Sequence, residues 1–281
     1  MTYLSSVLMG VLQGITEFLP VSSSGHLALF QHFFGMEDIE SKQMFFSVML
    51  HFGTLISIFI YYWHDIVDMI REFFRAIGDL FSRRGGRQQV QTPPARRLVL
   101  LIIVATLPLF AILPVKDVVE SATGNVTFVS LALLATGFLL FFSDRLAKGR
   151  KTAKTATLVD ALVVGCAQAV GTLPGISRSG ITISTGMLRG YDRSFAVRFS
   201  FLMSLPAVLG ATILELKDAL EAGLDPAILP HCLVGMGIAA VVGYFAIRLV
   251  NLLASKGKFG AFAYYCWAVG AVSLVAGFVV G

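Results

Sequence analysis

Six apolar stretches punctuate this chain, at about 44–63, 98–115, 126–143, 198–214, 231–250 and 261–280. Each approaches the roughly 20 residues that a helix needs to cross 30 Å of hydrocarbon. The last, Ala261 to Val280, carries no charge over twenty residues. Two further apolar stretches, about 3–35 and 158–188, are interrupted by Pro, Gly and Ser at Pro20 to Gly25 and at Pro174 to Gly180. Their halves are too short to span. Broken backbone at membrane depth survives only where protein or a wet cavity surrounds it. The pattern therefore predicts an all-α integral membrane protein with six transmembrane helices and two re-entrant helix–loop–helix hairpins. The N-terminal apolar run has no basic n-region and is interrupted by Glu17, which argues against a cleavable signal peptide.

Composition agrees: 56% of residues are hydrophobic, 14% charged, and the mean hydropathy is +0.78. Soluble domains average about 25% charged residues. The net charge of +5 does not point to nucleic acid, because the basic residues sit in loops between spans. Residues 64–97 hold Arg71, Arg75, Arg83, Arg84, Arg87, Arg96 and Arg97; residues 144–154 hold Arg145, Lys148, Arg150, Lys151 and Lys154; residues 248–258 hold Arg248, Lys256 and Lys258. The segments 116–120 and 215–225 are mostly acidic. Basic loops inside and acidic loops outside are satisfied by all six spans at once. The first hairpin then enters from outside and the second from inside. The polar segment from Ser82 to Arg97 reads as a cytoplasmic loop. Cys166, Cys232 and Cys266 have no metal-like spacing and read as buried thiols.

The two hairpins are copies. Gly10 to Gly25 (GVLQGITEFLPVSSSG) superposes on Gly165 to Gly180 (GCAQAVGTLPGISRSG) with a constant shift of 155 and five identities: Gly10/Gly165, Gln13/Gln168, Ser22/Ser177, Ser24/Ser179 and Gly25/Gly180. They differ where chemistry would differ, Glu17 facing Thr172 and Ser23 facing Arg178. The expected organisation is one membrane domain, 1–281, with a first repeat over 1–143 and a second over 155–281. Each is a hairpin followed by three spans. Three is odd, so the repeats are inverted relative to each other, and such pairs commonly build one shared site between the halves.

Several residues in the breaks carry chemistry. Gln13 and Glu17, at i and i+4, share a helix face. An intramembrane acid is functional by default, against the plainer reading of a hydrogen-bonded structural Glu. Their oxygens can hold a hard cation such as Mg²⁺ or Ca²⁺ alongside phosphate. Ser22, Ser23, Ser24, Gly25 and His26 fill the first break, where hydroxyls, backbone N–H groups and a helix N-terminus suit an anion. Ser23 and His26 can be nucleophile and base, or phosphate donors, and helix capping is the plain alternative for the serines. In the second break Ser177, Arg178, Ser179 and Gly180 match them. The guanidinium of Arg178 suits a phosphate, unless it serves only to pair Glu17. Glu17, Ser23, His26 and Arg178 together are the parts for hydrolysing a phosphate ester or anhydride. His32, His51 and His64 are isolated and read as structural. Arg189, Asp192, Arg193 and Arg198 read as a cytoplasmic charge cluster, and Pro108 and Pro206 as kinks.

Gln13 to Leu27 (QGITEFLPVSSSGHL), Pro174 to Gly180 (PGISRSG) and Phe199 to Pro206 (FSFLMSLP) resemble the signatures of bacterial undecaprenyl-pyrophosphate phosphatases of the bacitracin-resistance type. The resemblance covers essentially the whole chain. It implies a multi-pass inner-membrane hydrolase that removes the terminal phosphate of a polyprenyl pyrophosphate, facing the periplasm. The product, undecaprenyl phosphate, carries cell-wall precursors. It implies dependence on a divalent cation, with Glu17 as acidic metal or acid–base residue, Ser23 as nucleophile, His26 as catalytic His and Arg178 as phosphate clamp. The family often has Glu where this chain has Gln13, which weakens that position as a ligand. Attack by Ser23 and attack by water both stay open, as do monomer and homodimer. The alternatives are a transporter or lipid-carrier flippase, which inverted repeats with broken helices also suit, and a phosphatase for shorter prenyl or phospholipid substrates.

Overall fold

The computed structural model describes residues 2–34, 40–81, 93–221 and 226–280, and among these the protein is helical throughout, with a single isolated β-bridge between Lys151 and Tyr191. In chain order the helices are α1 (Tyr3–Phe18), α2 (Ser23–Phe34), α3 (Glu40–Tyr61), α4 (Trp63–Phe81), α5 (Pro94–Thr106), the short α6 (Lys116–Ser121), α7 (Val126–Leu146), α8 (Leu158–Val170), α9 (Arg178–Leu188), α10 (Arg193–Glu221), α11 (Leu229–Ser255) and α12 (Phe262–Val280). Five stretches are long and apolar enough to span: Pro94–Val115, Val126–Leu146, Arg193–Leu214, Leu229–Ser255 and Phe259–Val279. A sixth arises if α3 and α4, bent by 83° at Tyr62, count as one broken span. The protein is a multi-pass membrane protein.

Two details differ from the sequence reading. Most of the basic stretch after residue 63 is not a loop but helix α4. Its apolar residues, Ile66, Met69, Ile70, Phe73, Phe74 and Ile77, recur at three- and four-residue spacing and give it one apolar face. Pro94 to Arg97 form the first turn of α5, where proline lacks only an N–H that a helix start leaves unpaired. The remainder of that segment, 82–92, lies outside the described residues. At Pro108 the α-helix gives way to 3₁₀ turns at Leu107–Ala111 and Leu113–Val115, since proline cannot donate into the ladder. Pro206 sits inside α10.

The hairpins, α1–α2 and α8–α9, dock against opposite halves of the chain. A Cβ on Gly10 would meet the Gly235 carbonyl of α11 at 2.6 Å, and one on its repeat mate Gly165 would meet the Ala105 carbonyl of α5 at 2.2 Å. Small residues let the backbones touch, which drives helix association where water expulsion cannot. The tips meet reciprocally. A Cβ on Gly25 would contact Gly175 at 2.9 Å, and one on Gly180 would contact Pro20 at 3.2 Å. Under the shift of 155, position 25 maps to 180 and 20 to 175. Reciprocity of this kind is the mark of a two-fold relation. The hairpins also enter from different ends. Tyr3 at the start of α1 stacks on His231 near the start of α11. The second hairpin begins and ends among the basic loops.

Those loops are locked together at one face. Arg193 pairs with Asp144, Arg198 with Asp65, and Arg97 donates to the Ala156 carbonyl at 2.7 Å. Lys151 and Tyr191 are joined by the amide–carbonyl contacts of the β-bridge, for which Gly149 and Gly190 pass in direct backbone contact. The fully buried Asp160 carboxylate accepts from Lys151 (2.8 Å), Arg189 (2.8 Å) and the Thr157 amide (3.0 Å). Removing a buried acid strands its cations. Asp160→Ala is therefore expected to lower the thermal midpoint in detergent by about 5 °C or more. Asp160→Asn, which keeps hydrogen-bonding atoms, should fall between the two. An unchanged midpoint in Asp160→Ala would mean the cluster does not hold the hairpin.

Candidate active site

Each hairpin turns through a short break: residues 19–22 in the first, 171–177 in the second. Ser23 to Gly25 and Arg178 to Gly180, placed in the breaks by sequence, form the first turns of α2 and α9 instead. Both turns are built alike. Ser22 Oγ accepts from the Gly25 amide (3.2 Å) and lies 3.4 Å from Ser24 Oγ. Ser177 Oγ accepts from the Gly180 amide (3.1 Å) and lies 3.3 Å from Ser179 Oγ. The serines thus cap, and Gly25 and Gly180 spend their amides on those caps while letting the tips touch. Buried Ser22 holds φ +69, a left-handed conformation that costs a non-glycine residue about 1 kcal/mol and is typical of functional turns. Ser179 donates to the Leu19 carbonyl at 3.3 Å and ties one break to the other.

Glu17, in the last turn of α1, lies where the breaks meet. Its Oε1 accepts from Arg178 Nη2 of the second hairpin. Its Oε2 accepts from Ser23 Oγ (3.0 Å) and from Gln13 Nε2 (3.2 Å). The Glu17 side chain is only 6% exposed and Arg178 is 28% exposed. A buried carboxylate needs such compensation. The repeat thus brings one acid, one hydroxyl and one guanidinium together across 161 residues of sequence.

These groups line a cavity of about 210 Å³. At about 30 Å³ per water it has room for several waters or a phosphate group. Its wall includes Thr16, Glu17, Ser22, Ser23 and Ser24 from the first hairpin, and Thr172, Ser177, Arg178 and Ser179 from the second. Val208, Ala211 and Thr212 of α10 complete the apolar side. Two helix N-termini therefore reach one cavity, and the first amides of a helix have no partner within it.

The two histidines exchange the places that sequence suggests. His26 is not on the cavity wall. Its Nδ1 contacts the Ser22 carbonyl (2.8 Å) and its Nε2 the Tyr265 hydroxyl (2.8 Å), with the two rings stacked. His51, read as structural, is on the wall. The available signal was that His51 is an ionisable residue well inside an otherwise uncharged apolar run. Thr212 and its α10 neighbours carry no such signal.

A divalent cation has a partial fit. Among the described residues no group of three or more His, Cys, Asp and Glu is arranged to hold a metal. The oxygens available are those of the Glu17 carboxylate, already engaged by three donors; Gln13, whose Nε2 faces Glu17, is not on the cavity wall. This donor set cannot cage an ion by itself. It suits a cation that keeps most of its shell on phosphate oxygens and water.

A match to the family described as bacitracin resistance protein BacA covers residues 6–272. The chain is 42% identical over 276 residues to an undecaprenyl-diphosphatase of Alkaliphilus metalliredigens, covering 98% of each. It is 41% identical over 270 residues to one of Halothermothrix orenii, covering 96% of each. A third, from Methanosphaera stadtmanae, is 37% identical over 275 residues, covering 97% of each.

Proposed function

The chain belongs to the bacitracin resistance protein BacA family, and from that premise we propose that its cavity is where undecaprenyl diphosphate loses its terminal phosphate. The enzyme is an undecaprenyl-diphosphate phosphatase, a hydrolase acting on a phosphoric anhydride, and its product is undecaprenyl phosphate. That returns the lipid carrier to cell-wall synthesis. The observation that supports this site most is the contact of Glu17 with both Ser23 and Arg178, because it joins acid, nucleophile and anion clamp from two hairpins.

Arg178 and the amides opening α2 and α9 hold the diphosphate. Ser22, Ser24, Ser177 and Ser179 shape those turns and offer hydroxyls to it. Ser23 Oγ attacks the terminal phosphorus and its proton passes to Glu17 Oε2. The anhydride P–O bond breaks, and undecaprenyl phosphate leaves with the electron pair. Glu17 hands the Ser23 proton to the departing undecaprenyl phosphate; water then hydrolyses the phosphoserine, its proton passing by way of Glu17 to Ser23 Oγ as inorganic phosphate is released. The leaving group is a phosphate, so catalysis rests on positioning and on offsetting the charge that builds on the phosphoryl oxygens. His26, bound to Ser22 and Tyr265, positions the turn that carries Ser23 and ties it to α12. A divalent cation, Mg²⁺ or Ca²⁺, would be held by Glu17 beside the substrate phosphates, with Gln13 donating to that carboxylate from off the cavity wall, and would supply further charge neutralisation.

The chain is one domain whose halves, 1–143 and 155–281, are inverted repeats. The basic face is cytoplasmic, in a bacterial inner membrane, and the cavity opens to the periplasm. Every group of the site comes from one chain, so a homodimer would add nothing to the chemistry. Purified protein in detergent, where no compartments exist, is expected to release phosphate from undecaprenyl diphosphate. EDTA should reduce the rate at least tenfold, with recovery on adding Mg²⁺ or Ca²⁺. Movement of the lipid across vesicles without phosphate release would favour the transporter instead.

A further inference from the structure

Each hairpin carries a glutamine near the end of its first helix, Gln13 in α1 and Gln168 in α8, at equivalent positions of the repeat. Gln13 donates from Nε2 to the Glu17 carboxylate at 3.2 Å. Position 172 holds Thr where position 17 holds Glu, so Gln168 has no carboxylate to serve in its own hairpin. Gln168 is nonetheless fully buried, and neither its Nε2 nor its Oε1 meets a hydrogen-bond partner among the described residues. A buried amide without partners destabilises a fold, and an apolar side chain of the same shape would not.

Gln168 lines a second cavity, of about 10 Å³, whose wall also includes Glu17, Arg178, Thr182, Ser200 and Ser204. Glu17 and Arg178 line the large cavity as well, so their ion pair divides the two. Ser200 and Ser204 precede Val208 on α10, and Thr182 follows Arg178 by one turn on α9. The small cavity therefore lies on the side of the pair away from the large one. Its size suits one water and excludes a phosphate. Thr182 Oγ1 donates to the Arg178 carbonyl (2.8 Å), which leaves Ser200 Oγ to donate to Thr182 (2.5 Å). Ser204 Oγ donates to the Phe201 carbonyl (2.8 Å). The hydroxyl hydrogens are engaged, and their oxygens still accept. We propose that this cavity is a one-water site, and that Gln168, through that water, is a positioning residue for the Arg178 clamp. The water accepts from the guanidinium and donates to Gln168 Oε1 and a serine oxygen. Bridging waters bind nearly as well as direct hydrogen bonds. Glu17 then fixes one edge of the guanidinium and the water another, so the fork is oriented before the diphosphate arrives. The two glutamines back the two charged groups of the site, one directly and one through water. The inference rests on the reading of the large cavity as the diphosphate site.

The test is kcat/KM for phosphate release, with the thermal midpoint in detergent, for Gln168→Met and Gln168→Leu. Each is made in the wild-type and in the Arg178→Lys background. Both substitutions remove the amide and keep an apolar side chain of similar bulk. In the wild-type background each should lower kcat/KM about tenfold, because a small misplacement of a clamp is costly. The midpoint should stay within about 2 °C or rise, since a buried polar group is exchanged for an apolar one. In the Arg178→Lys background the same substitutions should cost less than about twofold, because an ammonium has no fork to hold. A high-resolution crystal structure should place one ordered water within about 3.2 Å of the Gln168 amide. No water there would overturn the proposal. So would activity within about twofold of wild type in both variants, or an equal loss in both backgrounds. A midpoint lowered by more than about 5 °C in both variants would make Gln168 structural and overturn it too. A wild type that releases no phosphate, or an Arg178→Lys as active as wild type, would overturn the parent reading as well.

Discussion

Arg178→Ala lowers kcat/KM for undecaprenyl diphosphate by about a thousandfold or more. The guanidinium enters from the second hairpin, and among the described residues it is the one Arg or Lys on the cavity wall. Removing a donor aimed at charge that develops in the transition state costs about 10²–10³ in rate by itself. The loss of ground-state attraction to the diphosphate adds to that. Arg178→Lys should recover only part, since an ammonium cannot present the planar fork. A stability effect must be separated from the chemical one. Without Arg178 the Glu17 side chain, 6% exposed, keeps only the neutral donors Ser23 and Gln13, at a cost of about 3 kcal/mol. The thermal midpoint in detergent therefore has to be measured beside the rate. A folded Arg178→Ala with activity within tenfold of wild type would remove the clamp from the mechanism.

Glu17→Gln has the second large effect, a fall in kcat of about 10²–10⁴. The amide keeps the size of the carboxylate but cannot take the Ser23 proton, which the 3.0 Å contact places at Oε2. Here the fold should suffer less, because the group left unpaired, Arg178, is 28% exposed and can be hydrated. Ser23→Ala should fall to a similar floor, since acid and hydroxyl act as one unit and such losses do not add. If Ser23→Ala keeps most of the wild-type rate while Glu17→Gln does not, water is the nucleophile and Glu17 activates it directly.

The repeat was the most legible feature of the sequence. A gapless shift of 155 aligned Ser22 with Ser177 and Gly25 with Gly180, and helix capping, the plainer of the two readings of those serines, is what they do at both tips; the shift also put Glu17 and Arg178 in one expected site, and they meet. Pro, Gly and Ser located both breaks, but Ser23 and Arg178 turned out to start helices, because the serine just before each of them caps a helix that begins there. The amphipathic α4 was present in the spacing of Ile66, Met69, Ile70, Phe73, Phe74 and Ile77, but the arginines around it suggested a loop. His51 carried one local signal, an ionisable group inside an uncharged apolar run, but nothing in the sequence said which residues it would join. Its neighbours in space come from α1, α9 and α10, and no local spacing encodes that meeting. His26 adjoins Ser23 in sequence, but on a helix its ring points to Tyr265 of α12.

The central claim is that two hairpins from opposite halves of the chain build one hydrolytic site. It is tested most directly by the rate of phosphate release from undecaprenyl diphosphate for Glu17→Gln, Arg178→Ala and the double variant, each purified in detergent. Groups in direct contact within one catalytic unit lose activity non-additively. The double variant is therefore expected to be no slower than the worse single variant, within about threefold. Losses that multiply, so that the double variant is slower by the product of the two single effects, would show that Glu17 and Arg178 act independently and would contradict a shared site.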